Sequence, residues 1–332
     1  MTLDTPDDVD NNANIEVATP LSDSVTDVPH GDSFSFTDFL TLEHHVELLK
    51  QRGLTFKNIH EELRFQKLIN TVGYYRLSQY FKHFYTTYHS KQFITDIKAK
   101  QIITAYKQNE RLRILLIDAL LKLESKLRTL LTEELILATR DVYWCYEPSF
   151  AAMELVSKAT RTRTDRKTHQ ESYTEQSTRL FFEHYPKHKR IPAWVAMQSQ
   201  EFGTLCQLLK HRSFPKRILK SMVGQFALPK EQNYNSLYPI FDALRHLRNL
   251  CVHHEKLIGE QLRIAPPLWN GLHPNLAHSL PNFLFWIERL LQSVTVRDSF
   301  ANELREIIQI VNRDCPQSMH IAVYRPSSIS EP

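Results

Sequence analysis

Glycine is scarce in this chain, 7 of 332 residues, and that scarcity argues against folds built on tight turns and hairpins, which depend on backbone that only glycine adopts cheaply. Leu, Lys, Arg, Glu and Gln are abundant instead, all good helix formers, so an all-α fold class is expected. No uninterrupted apolar run approaches the ~20 residues that span a bilayer, and no basic segment followed by an apolar one opens the chain. A soluble, cytoplasmic protein without membrane association is the expectation. Cysteine is sparse too: Cys145, Cys206, Cys251 and Cys315 lie far apart with no CxxC spacing. That excludes a disulfide framework and a zinc-finger site, and reads as four reduced thiols.

Lysine and arginine are missing from the first 32 positions, which hold eight acidic residues (Asp4, Asp7, Asp8, Asp10, Glu16, Asp23, Asp27 and Asp32). Thr, Ser, Asn and Pro fill the rest, a composition that favours disorder. Setting those eight charges aside turns the net +4 of the chain into +12 on the other 300 residues. A body that basic suits an anionic partner such as nucleic acid.

The run Phe241-Asp242-Ala243-Leu244-Arg245-His246-Leu247-Arg248-Asn249-Leu250-Cys251-Val252-His253-His254 carries the chemistry. Read as a helix turning 100° per residue, it aligns Asp242, Arg245, Asn249 and His253 along one stripe. Ile240, Leu244, Leu247, Cys251 and Ile258 form the opposite, core-facing side. Arg248 falls at the boundary, where a long guanidinium reaches round to the polar stripe. Such a helix is built to meet a phosphate. His246, His253 and His254 raise the question of a metal, but adjacent histidines diverge by 100° and no HExxH accompanies them; neither a metal nor another cofactor is expected.

Elsewhere the spacing predicts a helix over 41–51 stopped by Gly53, a second over 59–70, a long one over 96–140 with a broad leucine stripe, one from Ile191 through Leu205, and two last helices over 279–293 and 296–312. The aromatic run Gly73 to Phe84 reads as core, although Arg76, Lys82 and His83 among its rings also suit RNA bases. Glu124 and Arg128 are spaced to pair along the long helix, as a plain ion pair or as a brace for the site. Residues 156–179, with Lys158, Arg161, Arg163, Arg166 and Lys167, read as an exposed or mobile basic insertion, a solvated surface or a set of phosphate contacts.

Six segments together resemble the Abi-like (AbiD/AbiF-type) abortive-infection family. They are Leu48-Leu49-Lys50-Gln51-Arg52-Gly53-Leu54, Gly73-Tyr74-Tyr75-Arg76-Leu77-Ser78-Gln79-Tyr80, Leu120 to Arg128, Ile191-Pro192-Ala193-Trp194-Val195, Phe202-Gly203-Thr204-Leu205 and Arg248-Asn249-Leu250-Cys251-Val252-His253-His254. The resemblance implies an all-α, HEPN-like helical bundle with an N-terminal helical extension. The expected layout is a disordered acidic tail (1–34), an N-terminal helical region (35–95), the HEPN-like domain (96–313) and a C-terminal tail (314–332). It is also distantly like the nuclease half-sites of type VI CRISPR effectors. It implies that an Arg-x4–6-His signature, Arg248, Asn249 and His253 here, supplies an RNA-cleaving site that a homodimer completes. His254, Glu124, Arg128 and Arg245 are possible supporting residues. The chain departs from the family pattern at Glu255-Lys256-Leu257-Ile258 and at Gln198, where an acidic residue is expected and Glu201 lies near.

RNA is cut without metal when its 2′-OH attacks the adjacent phosphorus. Histidine titrates in the range needed to move the protons, and arginine offers a planar cation for the phosphorane. His253 is therefore the expected proton-transfer residue, Arg248 the stabiliser of the transition state and Asn249 the positioner, with 2′,3′-cyclic phosphate ends as product. Arg161, Arg163, Arg166, Lys167 and Arg76 are the expected RNA contacts. The alternative is a non-catalytic RNA-binding module or toxin–antitoxin component that holds a small RNA or a protein antitoxin. A helix-turn-helix DNA regulator ranks last, for want of a short basic recognition helix after a tight turn.

Overall fold

A computed structural model describes residues 41–87, 89–147, 153–165, 167, 171–211, 214–228, 234–269, 272–294 and 299–322. The acidic tail expected at 1–34 lies outside them. The described part is all-α: among these residues the helices are α1 (Leu42–Gln51), α2 (Ile59–Val72), α3 (Tyr74–Phe81), α4 (Ala99–Thr139), α5 (Met153–Ala159), α6 (Gln176–His184), α7 (Ala193–Ala196), α8 (Phe202–Lys210), α9 (Lys216–Gln225), α10 (Leu237–Val252), α11 (Leu280–Leu291) and α12 (Phe300–Asp314). Two short antiparallel strands, β1 (Thr162–Thr164) and β2 (Glu171–Tyr173), make the one sheet seen there. None of the described helices is long and apolar enough to cross a membrane.

The 41 residues of α4 form an axis of roughly 60 Å at 1.5 Å per residue. The stripe of Leu112, Leu115, Leu116, Leu120, Leu123, Leu127, Leu130 and Leu131 is buried throughout, so the helix takes neighbours on several sides: α2 and α3 in its first half, α10, α11 and α12 alongside, and α7, α8 and α9 nearer its end. Arg140 stops it in the left-handed conformation, φ 55°, its N–H closing on the Ile136 carbonyl. α1 stops as expected before Gly53, whose φ of 94° a larger residue tolerates poorly.

The described residues from Thr41 onward cluster as one unit around one hydrophobic core, to which the N-terminal helices contribute Val46, Leu49, Phe65, Ile69 and Leu77. The tail expected from residue 314 begins as packed chain, since Cys315, Met319 and Ile321 are buried. The insertion expected over 156–179 is the end of α5, the β1–β2 pair and the start of α6. One boundary matters for function. The single helix expected from Ile191 through Leu205 is broken: α7 and a 3-10 turn end at Ser199, Gln200 and Glu201 are extended, and α8 starts afresh at Phe202.

Candidate active site

α10 buries Leu237, Ile240, Phe241, Ala243, Leu244, Leu247 and Cys251 and leaves the opposite side to polar residues, as its 3.6-residue pattern dictates. Pro239 is tolerated because it lies in the first turn. The helix ends at Val252, two residues short of the expected run, in a Schellman turn: the His254 N–H bonds the Cys251 carbonyl and the Glu255 N–H the Leu250 carbonyl. His254 occupies the left-handed position, φ 61°, that glycine usually takes. A side chain there costs on the order of 1–2 kcal/mol.

Arg113 of α4, itself 6% exposed, bridges to that turn. Its Nη1 lies 3.2 Å from the Cys251 carbonyl and 2.8 Å from His254 Nδ1. Arginine only donates, so His254 Nδ1 accepts, and the ring carries its proton on Nε2. His254, expected from the sequence as a possible supporting residue, is exposed and held by an arginine on another helix. His253 is the exposed helix C-cap: its backbone N–H bonds the Asn249 carbonyl at 2.9 Å, and its imidazole has no hydrogen-bond partner among the described residues. Arg248 Nη1 donates to Asn249 Oδ1 at 3.3 Å, while its Nε is shielded and unpartnered. The outer guanidinium nitrogens are thus the ones a ligand meets.

The surrounding charges are paired. Arg245 grips Asp242 at 2.8 Å, one turn away. Arg128 Nη2 donates to Glu124 Oε1 at 2.8 Å and to the Gln200 carbonyl at 3.0 Å. Gln200, buried, donates through Nε2 to the Leu155 and Ala196 carbonyls, which pins the break between α7 and α8. Next to it Glu201 pairs with Lys158 of α5 at 2.8 Å. That hydrogen bond and the Lys158 charge, with a further pull from Arg248, hold its carboxyl below the usual range. Besides pairing with Glu124, Arg128 thus reaches the extended stretch between α7 and α8 that precedes Phe202. Burial first, then the Arg245 charge, lowers the pKa of His246.

Of the expected RNA contacts, Arg76, Arg161, Arg163 and Lys167 are exposed, and Arg166 lies outside the described residues. Arg161 and Arg163 sit at and just before β1, a few residues beyond Lys158. Among the described residues no His, Cys, Asp and Glu come together in a group that would hold a metal ion, and all four thiols are free and buried.

Arg113 and Gln200 escaped the sequence reading, and Lys158 was read only as part of the basic insertion, not as the partner of Glu201. Arg113 left a trace, a charge among buried leucines that needs a partner; the contacts of the other two follow from the break at Gln200–Glu201. No curated protein and no solved structure matches the chain. The family model described as Abi-like protein matches residues 67–259, more than half of the chain and the stretch that runs from the end of α2 through the His253–His254 turn. The chain belongs to the Abi-like protein family.

Proposed function

We propose that the polar side of α10 is one half of a metal-independent endoribonuclease site of HEPN type, and that the protein acts in abortive infection. Membership of the Abi-like family suggests that biological setting, defence against phage. The observation that carries the chemical reading is a contrast in pairing. Arg245, Arg128 and Arg113 are each committed to protein groups, whereas the His253 imidazole is exposed and, among the described residues, unpartnered, one turn beyond the Arg248–Asn249 pair. His253 moves the protons, Arg248 takes the charge that builds on the phosphorane, and Asn249 holds Arg248 or the phosphate in place. Products are a 2′,3′-cyclic phosphate and a 5′-hydroxyl.

Cyclising attack needs a base for the 2′-OH and an acid for the departing oxygen, and one copy offers one free imidazole on this stripe. A second copy supplies the other. Ile114 and Leu121 of α4 and Val252 at the end of α10 are exposed large hydrophobic residues that such a homodimer could cover.

The test is cleavage of total RNA in EDTA by the protein and by His253→Ala, with the cut ends mapped. Cyclic phosphate ends from the parent and none from the variant are expected; equal profiles would sink the reading. A second reading has one observation in its favour: none of the described residues orients the His253 ring. The stripe would then clamp RNA, or an RNA or protein antitoxin, without cutting. In that case His253→Ala lowers affinity in step with function, whereas an enzyme loses cleavage and keeps binding.

A further inference from the structure

We infer that α10 carries a second RNA subsite at its other end, built from Lys210, Lys220, Tyr234 and Tyr238, which holds the backbone of a single strand leading to the His253 end. This rests on the reading of α10 as an RNA-cleaving surface and extends it to the form of the substrate.

Tyr234, in the 3-10 turn Tyr234–Ser236, and Tyr238, in the first turn of α10, are four residues apart and half-buried. Each ring carries an ammonium on its face. Lys210, the last residue of α8, stands 5.3 Å from the Tyr238 centroid, and Lys220 of α9 stands 5.9 Å from the Tyr234 centroid. Both lysines are exposed, and neither has a carboxylate partner among the described residues. Lys216, one turn before Lys220 and also exposed, adds a third charge. The nearest pairings on α9 use other groups: Arg217 donates to the Ala138 carbonyl, and Glu134 takes up Ser221 and Gln225.

A lysine resting on an aromatic face is confined without being neutralised, so its N–H groups remain for an outside anion. Two such lysines beside two tyrosines match what a single strand presents, successive phosphates with unstacked bases. Helix geometry joins this end to the other. Tyr238 and Asn249 are eleven residues apart, three turns plus about 20°, so they lie on one side of α10 roughly 16 Å apart. Between them Asp242 is neutralised by Arg245. The stripe is thus a track for a few nucleotides with cations at both ends. A duplex, whose bases are stacked and hidden, cannot use the tyrosines.

The experiment measures equilibrium binding of a fluorescein-labelled, uridine-rich single-stranded RNA of about 20 nucleotides, and of a labelled dinucleotide too short to span the roughly 16 Å between the two ends, on the His253→Ala background so that nothing is cut. Lys210→Ala with Lys220→Ala is expected to weaken the long RNA by roughly 10- to 30-fold at 0.1 M salt and to flatten the plot of log K against log salt by about 1.4, the loss of two single-strand phosphate contacts. The short RNA, which fills only the His253 end, changes little, and the Lys210→Arg, Lys220→Arg pair restores the slope. With His253 restored, the lysine variant still cuts the short RNA at the parental rate. An unchanged slope and affinity for the long RNA, with cleavage intact, overturns the subsite and leaves the nuclease reading standing. A parent protein that neither binds nor cuts either RNA overturns both. Displacement of the long RNA by polyglutamate at equal charge would identify an acidic-peptide dock and also overturn the subsite.

Discussion

Within eight residues of each other, α10 and the loop after it use similar side chains in opposite ways. Arg248, Asn249 and His253 leave an imidazole in solvent and a guanidinium half-committed. Lys256 and Glu260 close on themselves. Lys256 is buried, bonds Glu260, stands 5.6 Å from the centroid of the Tyr80 ring, and meets His83 Nε2. Lys82 joins Glu260 at 2.8 Å, and His83 Nδ1 lies 3.1 Å from Ser318 Oγ. Gly259 passes so close that a Cβ there would come 2.8 Å from the His83 ring. This knot ties the end of α3, the loop after α10 and the C-terminal 3-10 turn Gln317–Met319 together. Where every polar group is satisfied internally, charge serves the fold; where one is left over, it is available for chemistry.

That contrast breaks most sharply at His253. His253→Ala is expected to lower RNA cleavage by roughly 100-fold or more while leaving the melting temperature unchanged, since a general acid–base group contributes about 10²–10⁴; a cleavage assay beside a thermal melt reads both. The reverse pattern belongs to the knot. Glu260→Gln strands a buried ammonium and should cost about 2–4 kcal/mol in urea unfolding, with cleavage per folded molecule intact.

The knot also predicts a pH response. Burial raises the Glu260 carboxyl, but hydrogen bonds from His83, Lys256 and Lys82 outweigh it and hold the group well below the usual carboxylate range. Its folded pKa lies below its unfolded one, so its stabilisation is present above about pH 4.5 and fades as the pH falls through the folded value. Lys256 runs the other way: burial lowers it to about 8 from 10.5 despite Glu260. Between those values the unfolded chain binds more protons, so stability should climb as the pH rises from 8 toward 10.5. Lys256→Met should remove that climb in urea midpoints taken across the window.

The smallest effect is expected at the hinge between the two regions. His254→Gly relieves left-handed backbone but gives up the Arg113 contact. Gains and losses of about 1 kcal/mol each should nearly cancel. Arg113→Met, by contrast, loses the Cys251 carbonyl bond as well and should destabilise.

Much of this was legible in the sequence. The leucine stripe placed α4, the apolar face placed α10, and Gly53 marked the end of α1, because each is set by periodicity or by one residue's backbone. What escaped is set by residues distant in sequence. Arg113 meets His254 across 141 positions and Lys256 meets His83 across 173, and no local pattern announces either. The break at Gln200–Glu201 was hidden for a related reason: the local spacing continues as helix, and it takes Arg128 on the Gln200 carbonyl and Gln200 on Leu155 and Ala196 to hold the chain open. His253 and His254 looked like neighbours on one helix, yet the left-handed turn between them sends one to solvent and the other to Arg113.

The long helix α4 has a consequence of its own. Arg113 holds one end of the site and Arg128 the other, fifteen residues apart on one continuous helix, so α4 acts as a ruler with both a length, about 22 Å, and a phase. One residue inserted between them would rotate one grip by about 100° against the other and release it, whereas four would nearly restore the phase while stretching the span by about 6 Å. Sequence length in this stretch is therefore quantised by the helical repeat, a constraint on how the chain can vary that residue identity alone does not express.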